Sequence, residues 1–443
     1  MLAPMLALPA SAFAARRQRV LDALPDGSAL LLPTHPEVAR NSDVEYPFRP
    51  DSDFYWLTGF KEPDAWALLR KDEPHYTLFV RPKDREREIW TGIRAGVEGA
   101  IGRYGADQAF PLADLDQELG ALLEPVETLF FAMGRSAAND QTLHGLLARL
   151  RRGRKLHLGP SAVLEPSRLL ADLRLHKTDE ELELMRTGAA ISGEAHTEAM
   201  RQVRPGMNEY EIEALIEYTF RRRGAWGWAY GSIVGGGANA CILHYRENDA
   251  VLRDGDLMLI DAGAEVDGYA TDITRTSPVN GRFSPAQRDL YQLVLDVQVA
   301  AVEATKPGLS LQTMHDDVLR GLSQGLLDLG LLSGSLDQIL EEKLYRRYYM
   351  HRTSHWLGLD VHDVGGYRVA AEGSDGDNRP LAAGMVFTIE PGIYVAPDDE
   401  EAPEAFRGIG IRIEDDVLVT ETGYENLTDS TPKTIDDIEA LQA

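Results

Sequence analysis

The sequence predicts an α+β protein of two domains. A mixed α/β N-terminal domain spans residues 1–175, and a larger domain over 176–443 is built as two related halves. Three observations carry this. Short apolar runs, punctuated by Gly, Pro and Asp turns, alternate with helical patterns in the first part. A Pro-Gly turn leading into a capped amphipathic helix occurs twice in the second part. Each copy then reaches an apolar strand that ends in a carboxylate, at Asp261 and at Glu390.

In the N-terminal domain, Ser28–Leu32, Ala67–Leu69 and Tyr76–Val80 read as strands. Residues 111–152 read as two helical pieces with a strand at Thr128–Phe131 between them, and Leu156–Leu158 is expected to close the unit. The aromatic run Phe54-Tyr55-Trp56 before Gly59-Phe60 fits a core or an interface. The opening MLAPMLALPASAFAARR places Ala12-Phe13-Ala14 like a signal-peptidase site. It lacks a basic start and carries Pro4 and Pro9, so it is read as an uncleaved arm leading into the first helix.

A boundary follows near His176. Thr178 and Glu181 form a capping box at the start of a helix over 178–202. Val203-Arg204-Pro205-Gly206-Met207-Asn208 then recurs as Thr305-Lys306-Pro307-Gly308-Leu309-Ser310. After the first copy, Ile212, Leu215, Ile216 and Phe220 line one helical face, ending at Gly224. After the second, Leu311, Met314, Val318, Leu322 and Leu326 do so, ending near Gly330. The helix from Ser284-Pro285 to Ala304 matches 178–202, with a Ser cap and Pro at its first position.

The strands that follow share one design: Asp256-Leu-Met-Leu-Ile-Asp261-Ala-Gly263 and Gly384-Met-Val-Phe-Thr-Ile-Glu390-Pro-Gly392. A carboxylate ending a buried strand is costly unless neutralised. Asp272, in an alternating run with Ala270 and Thr274, fits an ordinary hairpin when taken alone. The repeat brings Asp261 and Glu390 together across a pseudo-twofold axis. In Gly408–Asp416, alternation sets Gly410, Arg412 and Glu414 on one face and Ile409, Ile411 and Ile413 on the other. His351, His355 and His362 fall within one short segment before Asp363, which marks a metal or proton-transfer site. Carboxylates with an imidazole and no thiolate favour harder divalent ions such as Mn²⁺, with Co²⁺, Zn²⁺ and Fe²⁺ also compatible.

Composition narrows the classes. At 443 residues and 44% hydrophobic content the chain suits two or three packed domains. A net charge of −26 argues against nucleic acid or an anionic membrane as partner. The single cysteine, Cys241, excludes an intramolecular disulfide and a cysteine-rich zinc site, which points to the cytoplasm. No uninterrupted apolar run of about 18 residues occurs, so no membrane span is expected.

Asp261, Asp272, His355, Glu390 and Glu414, in that order on a duplicated frame, resemble the pita-bread metallopeptidases, among them methionine aminopeptidase, prolidase and aminopeptidase P. The segment His351-Arg-Thr-Ser-His355-Trp-Leu-Gly-Leu-Asp-Val-His362-Asp363 is similar to the proline-peptidase signature. Ser42-Asp43-Val-Glu-Tyr-Pro-Phe-Arg-Pro-Asp51-Ser-Asp-Phe-Tyr-Trp-Leu-Thr-Gly59-Phe60 resembles the N-domain hallmark of bacterial aminopeptidase P.

The resemblance implies a pita-bread (creatinase/aminopeptidase-like) catalytic domain that removes the N-terminal residue from peptides with proline in second position. It implies two divalent metal ions, Mn²⁺ first with Zn²⁺ or Co²⁺ as alternatives, sharing a hydroxide nucleophile. Asp261 and Asp272 would bind one metal, and Asp272, His355 and Glu390 the other, with Glu414 bridging as Asp272 does. Glu390 would also handle the proton of the attacking hydroxide. His362 and His244 would contact the scissile carbonyl, His351 would line the proline pocket, and Arg412 would anchor the carboxylates. Tyr394 and Arg379 are further pocket candidates. Trp90 and Arg154 are candidates from the N-domain that reach an active site, including that of a neighbouring subunit in a homo-oligomer, a dimer or a tetramer.

A prolidase restricted to Xaa-Pro dipeptides and a non-enzymatic binding protein on the same fold are the alternatives. One departure from the signature is visible: Arg352-Thr353 stand where Gly-Leu is often seen, which bears on the proline pocket or the charge at its mouth. Gly235-Gly-Gly237 is expected to be a turn rather than a phosphate cradle. Asp375-Gly-Asp377-Asn378 lacks the later acid of a calcium loop, and Asp398–Glu401 with Glu404 is expected to be a solvated acidic run.

Overall fold

A computed structural model describes residues 7–152, 158–369 and 376–442. The chain divides into two compact units, Leu8–Leu173 and, from Arg174, the remainder to the C-terminus. The division falls within the helix Ser167–Leu175.

The first unit is built on a six-stranded sheet in the order Gln108–Pro111, Tyr76–Val80, Trp66–Arg70, Ser28–Pro33, Thr128–Phe130, Ala162–Leu164. The middle pairings are antiparallel and the outer ones parallel. The helices Leu115–Leu123 and Ala137–Leu150 supply Leu119, Leu123, Leu143 and Leu146 to a core shared with Leu31, Leu68, Phe79 and Leu129. The aromatic run lies in the helix Ser52–Thr58, whose seven residues are all buried, so it is core. Asp51 caps its start by accepting from the Phe54 amide at 2.9 Å. Arg16 and Arg17, from the helix Ala10–Ala23, donate to the carbonyls of Trp56 and Leu57 at 3.1 and 3.2 Å, closing its C-terminal end. Ala12-Phe13-Ala14 sits inside that first helix.

The strand closing this sheet is Ala162–Leu164, which pairs with Thr128–Phe130. Of Leu156–Leu158, read above as closing the unit, residues 156 and 157 lie outside the described residues. Hydrogen bonds from the Ser161 and Ala162 amides to Glu127 set this register, and residue types alone do not report that pairing.

The second unit shows the repeat at the level of single hydrogen bonds. The helices Asp179–Gln202 and Glu209–Arg222 of the first half correspond to Pro285–Glu303 and Leu311–Asp328 of the second. Each has a polar cap: the Thr178 amide donates to Glu181 at 2.9 Å, Asn208 to Glu211 at 2.7 Å, Ser284 to Gln287 at 2.8 Å, and the Thr313 amide to Ser310 Oγ at 3.0 Å. In both Pro-Gly turns the glycine is left-handed, φ +95° at Gly206 and +89° at Gly308. Both turns bind the segment ahead of the acid-bearing strand in the same way, Gly206 to Leu252 at 2.8 Å and Gly308 to Leu381 at 2.9 Å.

In the first half, Leu257–Asp261 lies between Ile233–Gly236 and Thr274–Pro278. In the second, Val386–Ile389 pairs with Asp415–Val419, which pairs with Tyr424–Asn426. The free side of Val386–Ile389 takes the histidine segment: Thr388 donates to the His355 carbonyl at 3.0 Å and Glu390 to that of Thr353 at 2.8 Å. The isoleucines 409, 411 and 413 all enter the core of the second half.

Asp272 does not sit in one continuous alternating strand. Tyr269–Ala270 ends a hairpin with Ala264–Val266, and Thr274 begins the return strand, leaving Asp272 at the break. Gly263 makes the break possible, since a Cβ there would lie 1.6 Å from the Thr271 carbonyl oxygen. The second half is built alike. Glu390 precedes the ribbon of Gly392–Tyr394 with Gly410–Arg412, and Glu414 lies between that ribbon and its return strand. Asp272 and Glu414 are therefore counterparts, as Asp261 and Glu390 are.

The return strands meet through a buried cluster. Arg275 donates to Asp415 at 2.7 Å and to the Glu414 carbonyl at 2.6 Å, while Gln298, Asn426, Thr428 and Lys433 satisfy the remaining Asp415 valences. Both Arg275 and Asp415 are wholly buried. Gly235 and Gly236 end a strand, and Gly237 opens a short 3-10 turn to Cys241. The acidic run is only partly solvated, because Arg347 pairs with Asp399 and Glu401.

Candidate metal centre and substrate cavity

A cavity of about 630 Å³ in the second unit is lined by Asp261, Asp272, His355, Glu390 and Glu414 together with His244, His351, His362 and Arg412. The two halves deliver the carboxylates from equivalent strand ends, and the histidine segment brings His355 alongside Glu390. The imidazole Nε2 lies 3.4 Å from Asp272 Oδ2 and 3.7 Å from Glu390 Oε1. Its Nδ1 lies 3.1 Å from the Trp356 carbonyl, which fixes the tautomer with Nδ1 as donor and Nε2 free to ligate. The segment is held from below by Asp363, fully buried between Arg174 at 2.6 Å and Lys177 at 3.2 Å. Those two charges hold the Asp363 carboxyl below the usual range against the effect of burial.

Arg412 donates to Asp261 Oδ2 at 2.5 Å and to the Tyr394 hydroxyl at 2.9 Å. Tyr394 in turn lies 2.8 Å from His351 Nε2, and His351 Nδ1 faces the Arg352 carbonyl at 2.8 Å. Burial, and then the Arg412 charge, push the His351 imidazole down to about 3. It is a neutral ring with its hydrogen on Nδ1. Tyr394 does not itself line the cavity and acts through His351 and Arg412. His362 stacks edge-on to His355 at 4.3 Å between ring centres, and both it and His244 are exposed at the cavity. Arg379 is not among the lining residues. Its guanidinium donates to the Gly366 carbonyl at 2.6 Å, supporting the loop that carries Tyr367. Trp90 is 88% exposed on the helix Arg85–Thr91 of the first unit, and Arg154 lies outside the described residues.

The carboxylates are under-neutralised by the protein alone. Burial raises Asp261, and it lifts Glu390 to about 7 despite His355 and Arg412. Burial, then Asp272 and Glu390, raise Glu414 well above its ordinary value. His355 moves the other way from burial: Asp272 and Glu390 carry it up to about 9. Four acids against one guanidinium and one imidazole leave room for added positive charge. Donor atoms of Asp272, His355 and Glu414 lie within 4.8 Å of one another. This oxygen-rich set with one imidazole nitrogen fits a divalent cation.

Several residues at the site carried no sequence signal. The Tyr230 hydroxyl hydrogen-bonds Asp261 at 2.6 Å and also contacts Asp272, yet it stands in Trp228-Ala-Tyr230-Gly without any pattern. Thr274 Oγ1 donates to Glu414 at 2.7 Å. Asp416, buried, accepts from the Asp272 amide at 3.2 Å. His315 lines the cavity with Nδ1 2.8 Å from Thr353 Oγ1.

Fold and site together define a metallohydrolase built on a duplicated half. The model of metallopeptidase family M24 matches residues 183–421, and that of the aminopeptidase P N-terminal domain matches 13–130. An Xaa-Pro aminopeptidase of Escherichia coli is 45% identical over 433 residues, covering 97% of each chain. The solved structure of the Pseudomonas aeruginosa aminopeptidase PepP is 48% identical with a TM-score of 0.96, covering 99% of this chain and 98% of that one. A zinc-substituted E. coli aminopeptidase P in complex with product has a TM-score of 0.94 at 44% identity, covering 98% of both chains. The chain belongs to metallopeptidase family M24, in its aminopeptidase P branch. Among the described residues no helix is long and apolar enough to cross a membrane.

Proposed function

We infer that this chain is an Xaa-Pro aminopeptidase, a hydrolase that cleaves the first peptide bond of substrates with proline in second position. The observation that carries the reading is the convergence of Asp261, Asp272, His355, Glu390 and Glu414 on one cavity beside His244, His351 and His362. Two divalent ions are proposed, Mn²⁺ first and Zn²⁺ or Co²⁺ as alternatives. Asp261 and Asp272 would hold one and Asp272, His355 and Glu390 the other, with Glu414 shared. When bound, the metals supply Lewis-acid activation of water and polarisation of the scissile carbonyl.

The chain's own residues do the rest. Carboxylates at the metal site would anchor the substrate's free α-amine. Glu390 would take the proton of the attacking water and pass it to the departing prolyl nitrogen. That nitrogen carries no hydrogen in the amide, so it must gain one to leave. His362 and His244, exposed at the cavity, donate to the carbonyl oxygen as charge develops. His351, neutral and fixed through Tyr394, presents a flat face to the proline ring. Arg412 keeps Asp261 oriented.

We further propose a cytoplasmic homo-oligomer, a dimer or tetramer. The exposed Ile89, Trp90 and Ile93 support this as an apolar contact surface, one through which Trp90 would reach a neighbouring subunit's substrate. The test is a panel with the Mn²⁺-loaded enzyme. Arg-Pro-Pro-type peptides should be cleaved; release of Met from Met-Ala peptides without cleavage of the former overturns the reading. Cleavage confined to Xaa-Pro dipeptides would make it a prolidase, and a protein that neither binds metal nor cleaves would be a binding protein.

A further inference from the structure

His244 has no anchor of its own. It makes no hydrogen bond among the described residues, and its side chain stands exposed at the cavity. The direction of its imidazole is therefore set by the loop between Gly236, where a strand ends, and Ala250.

That loop is gathered onto one carboxylate. Glu209, wholly buried, is the first residue of the helix Glu209–Arg222. Its Oε1 accepts from the Gly236 amide at 2.7 Å and from Asn239 Nδ2 at 3.0 Å. Its Oε2 accepts from the Tyr245 hydroxyl at 2.7 Å and from the Ala250 amide at 2.9 Å. The Glu209 amide in turn donates to the Ala250 carbonyl at 3.0 Å. Both ends of the loop, its first turn and the residue next to His244 thus meet at a single side chain. All four side-chain contacts are donors, so an acceptor-only group suits them, and a glutamine would turn its NH₂ toward two of them.

The other half of the domain folds without this carboxylate. The bridges of Asn208 with Val251 and of Ser310 with Pro380 occupy matching places, which makes Leu311 the counterpart of Glu209. Leu311 is apolar and buried, although it follows an equivalent cap and Pro-Gly turn. The carboxylate belongs to the half that carries His244.

We propose that Glu209 is the positioning residue of His244, holding the loop so that the imidazole meets the scissile carbonyl oxygen. Glu209 does not line the cavity and acts through the loop alone. The proposal rests on the Xaa-Pro reading above and on the part His244 plays in it. Misplacing a catalytic group by about 1 Å costs up to about a hundredfold in rate, and removing an oxyanion donor about a hundred- to a thousandfold.

The experiment measures kcat and KM of the full-length Mn²⁺-loaded enzyme on Ala-Pro-Gln-amide for E209Q, Y245F, H244A and the double variants E209Q/H244A and Y245F/H244A. The kcat should fall about 10- to 100-fold in E209Q and about 2- to 10-fold in Y245F, with KM and bound metal near those of the unaltered enzyme. Once His244 is gone, neither substitution should lower kcat by more than about twofold, because the group they place is absent. Losses that multiply instead, or a kcat unmoved in E209Q, overturn the proposal and leave the Xaa-Pro reading standing. No cleavage by the unaltered enzyme sinks that reading and the proposal with it. Y245F carries the cycle should E209Q fail to fold. Should H244A be too slow to time, NMR of the Zn²⁺-loaded enzyme with labelled histidine decides. The ring signal missing from H244A should shift or broaden in E209Q and Y245F, and a signal unmoved in both overturns the proposal.

Discussion

Loading the candidate centre with metal should expel protons. A ligating imidazole must be neutral and ligating carboxylates ionised. In the metal-stripped protein His355 is carried to about 9 by Asp272 and Glu390 against burial, so at pH 7 it holds close to one proton. Glu390, lifted by burial to about 7, holds about half of one. Glu414 is also raised above its ordinary value by burial and then by Asp272, which adds to the protons displaced. Binding of Mn²⁺ at pH 7 should therefore release about 1.5 protons or more, and affinity should fall roughly 30-fold or more from pH 7 to pH 6. Calorimetric titration of chelator-stripped enzyme in buffers of different ionisation enthalpy reads the proton count directly. Release of less than about half a proton, or an affinity flat across that range, would refute the assignment of these side chains as ligands.

The same shifts fix a stability trend. His355, raised above its unfolded value, stabilises the stripped fold fully at low pH and loses that contribution as pH rises through about 9. Glu390, a carboxyl raised above its unfolded value, makes folding less favourable as pH rises through about 7. The gap in Tm between loaded and stripped protein should widen from pH 6 to pH 9.

Three substitutions separate ligation from scaffolding. Asp272→Ala should lower activity by at least about a hundredfold and reduce bound metal, since losing a ligand costs more than losing an outer partner; retained activity in a metal-assayed sample would remove Asp272 from the centre. Asp415→Asn leaves Arg275 and Lys433 facing a neutral amide in a buried cluster. It should cost about 3–5 kcal/mol, a fall of roughly 6–20 °C in the melting of that unit, and a shift under about 2 °C by scanning calorimetry would contradict it. Gly263→Ala forces the hairpin away from the Thr271 carbonyl; metal affinity measured by titration should drop while the secondary structure seen by circular dichroism persists.

Much of the second unit was legible because duplication writes the same local signals twice. Caps at Asn208 and Ser310, the Pro-Gly turns and the paired strand ends at Asp261 and Glu390 each constrain the chain locally. Counterparts that depend on the path between strands were less visible. Asp272 and Glu414 emerge as equivalents only when both ribbons are folded, and the apparent alternation around Asp272 hides a break that Gly263 permits. Tyr230 was invisible for a related reason, because its partners lie 31 and 42 residues ahead of it. In the first unit, the short run Ala162–Leu164 is identified as a strand only by its pairing with Thr128–Phe130. The helices Leu336–Glu341 and Ile435–Leu441 are too short to show a period.

The Arg412–Asp261 ion pair and the Tyr230 bridge have a bearing on how the enzyme is assembled. Arg412 and Asp261 are 151 residues apart in the chain, so neither half can fashion the centre while the other is still being synthesised. The contacts that orient Asp261 are made by protein atoms, and they form when the second half closes on the first. The cation then meets a finished receptacle rather than a chain it must help to fold, the opposite of a zinc finger. Metal uptake should accordingly be a late, reversible step, with stripped and reloaded enzyme regaining function without passing through the unfolded state.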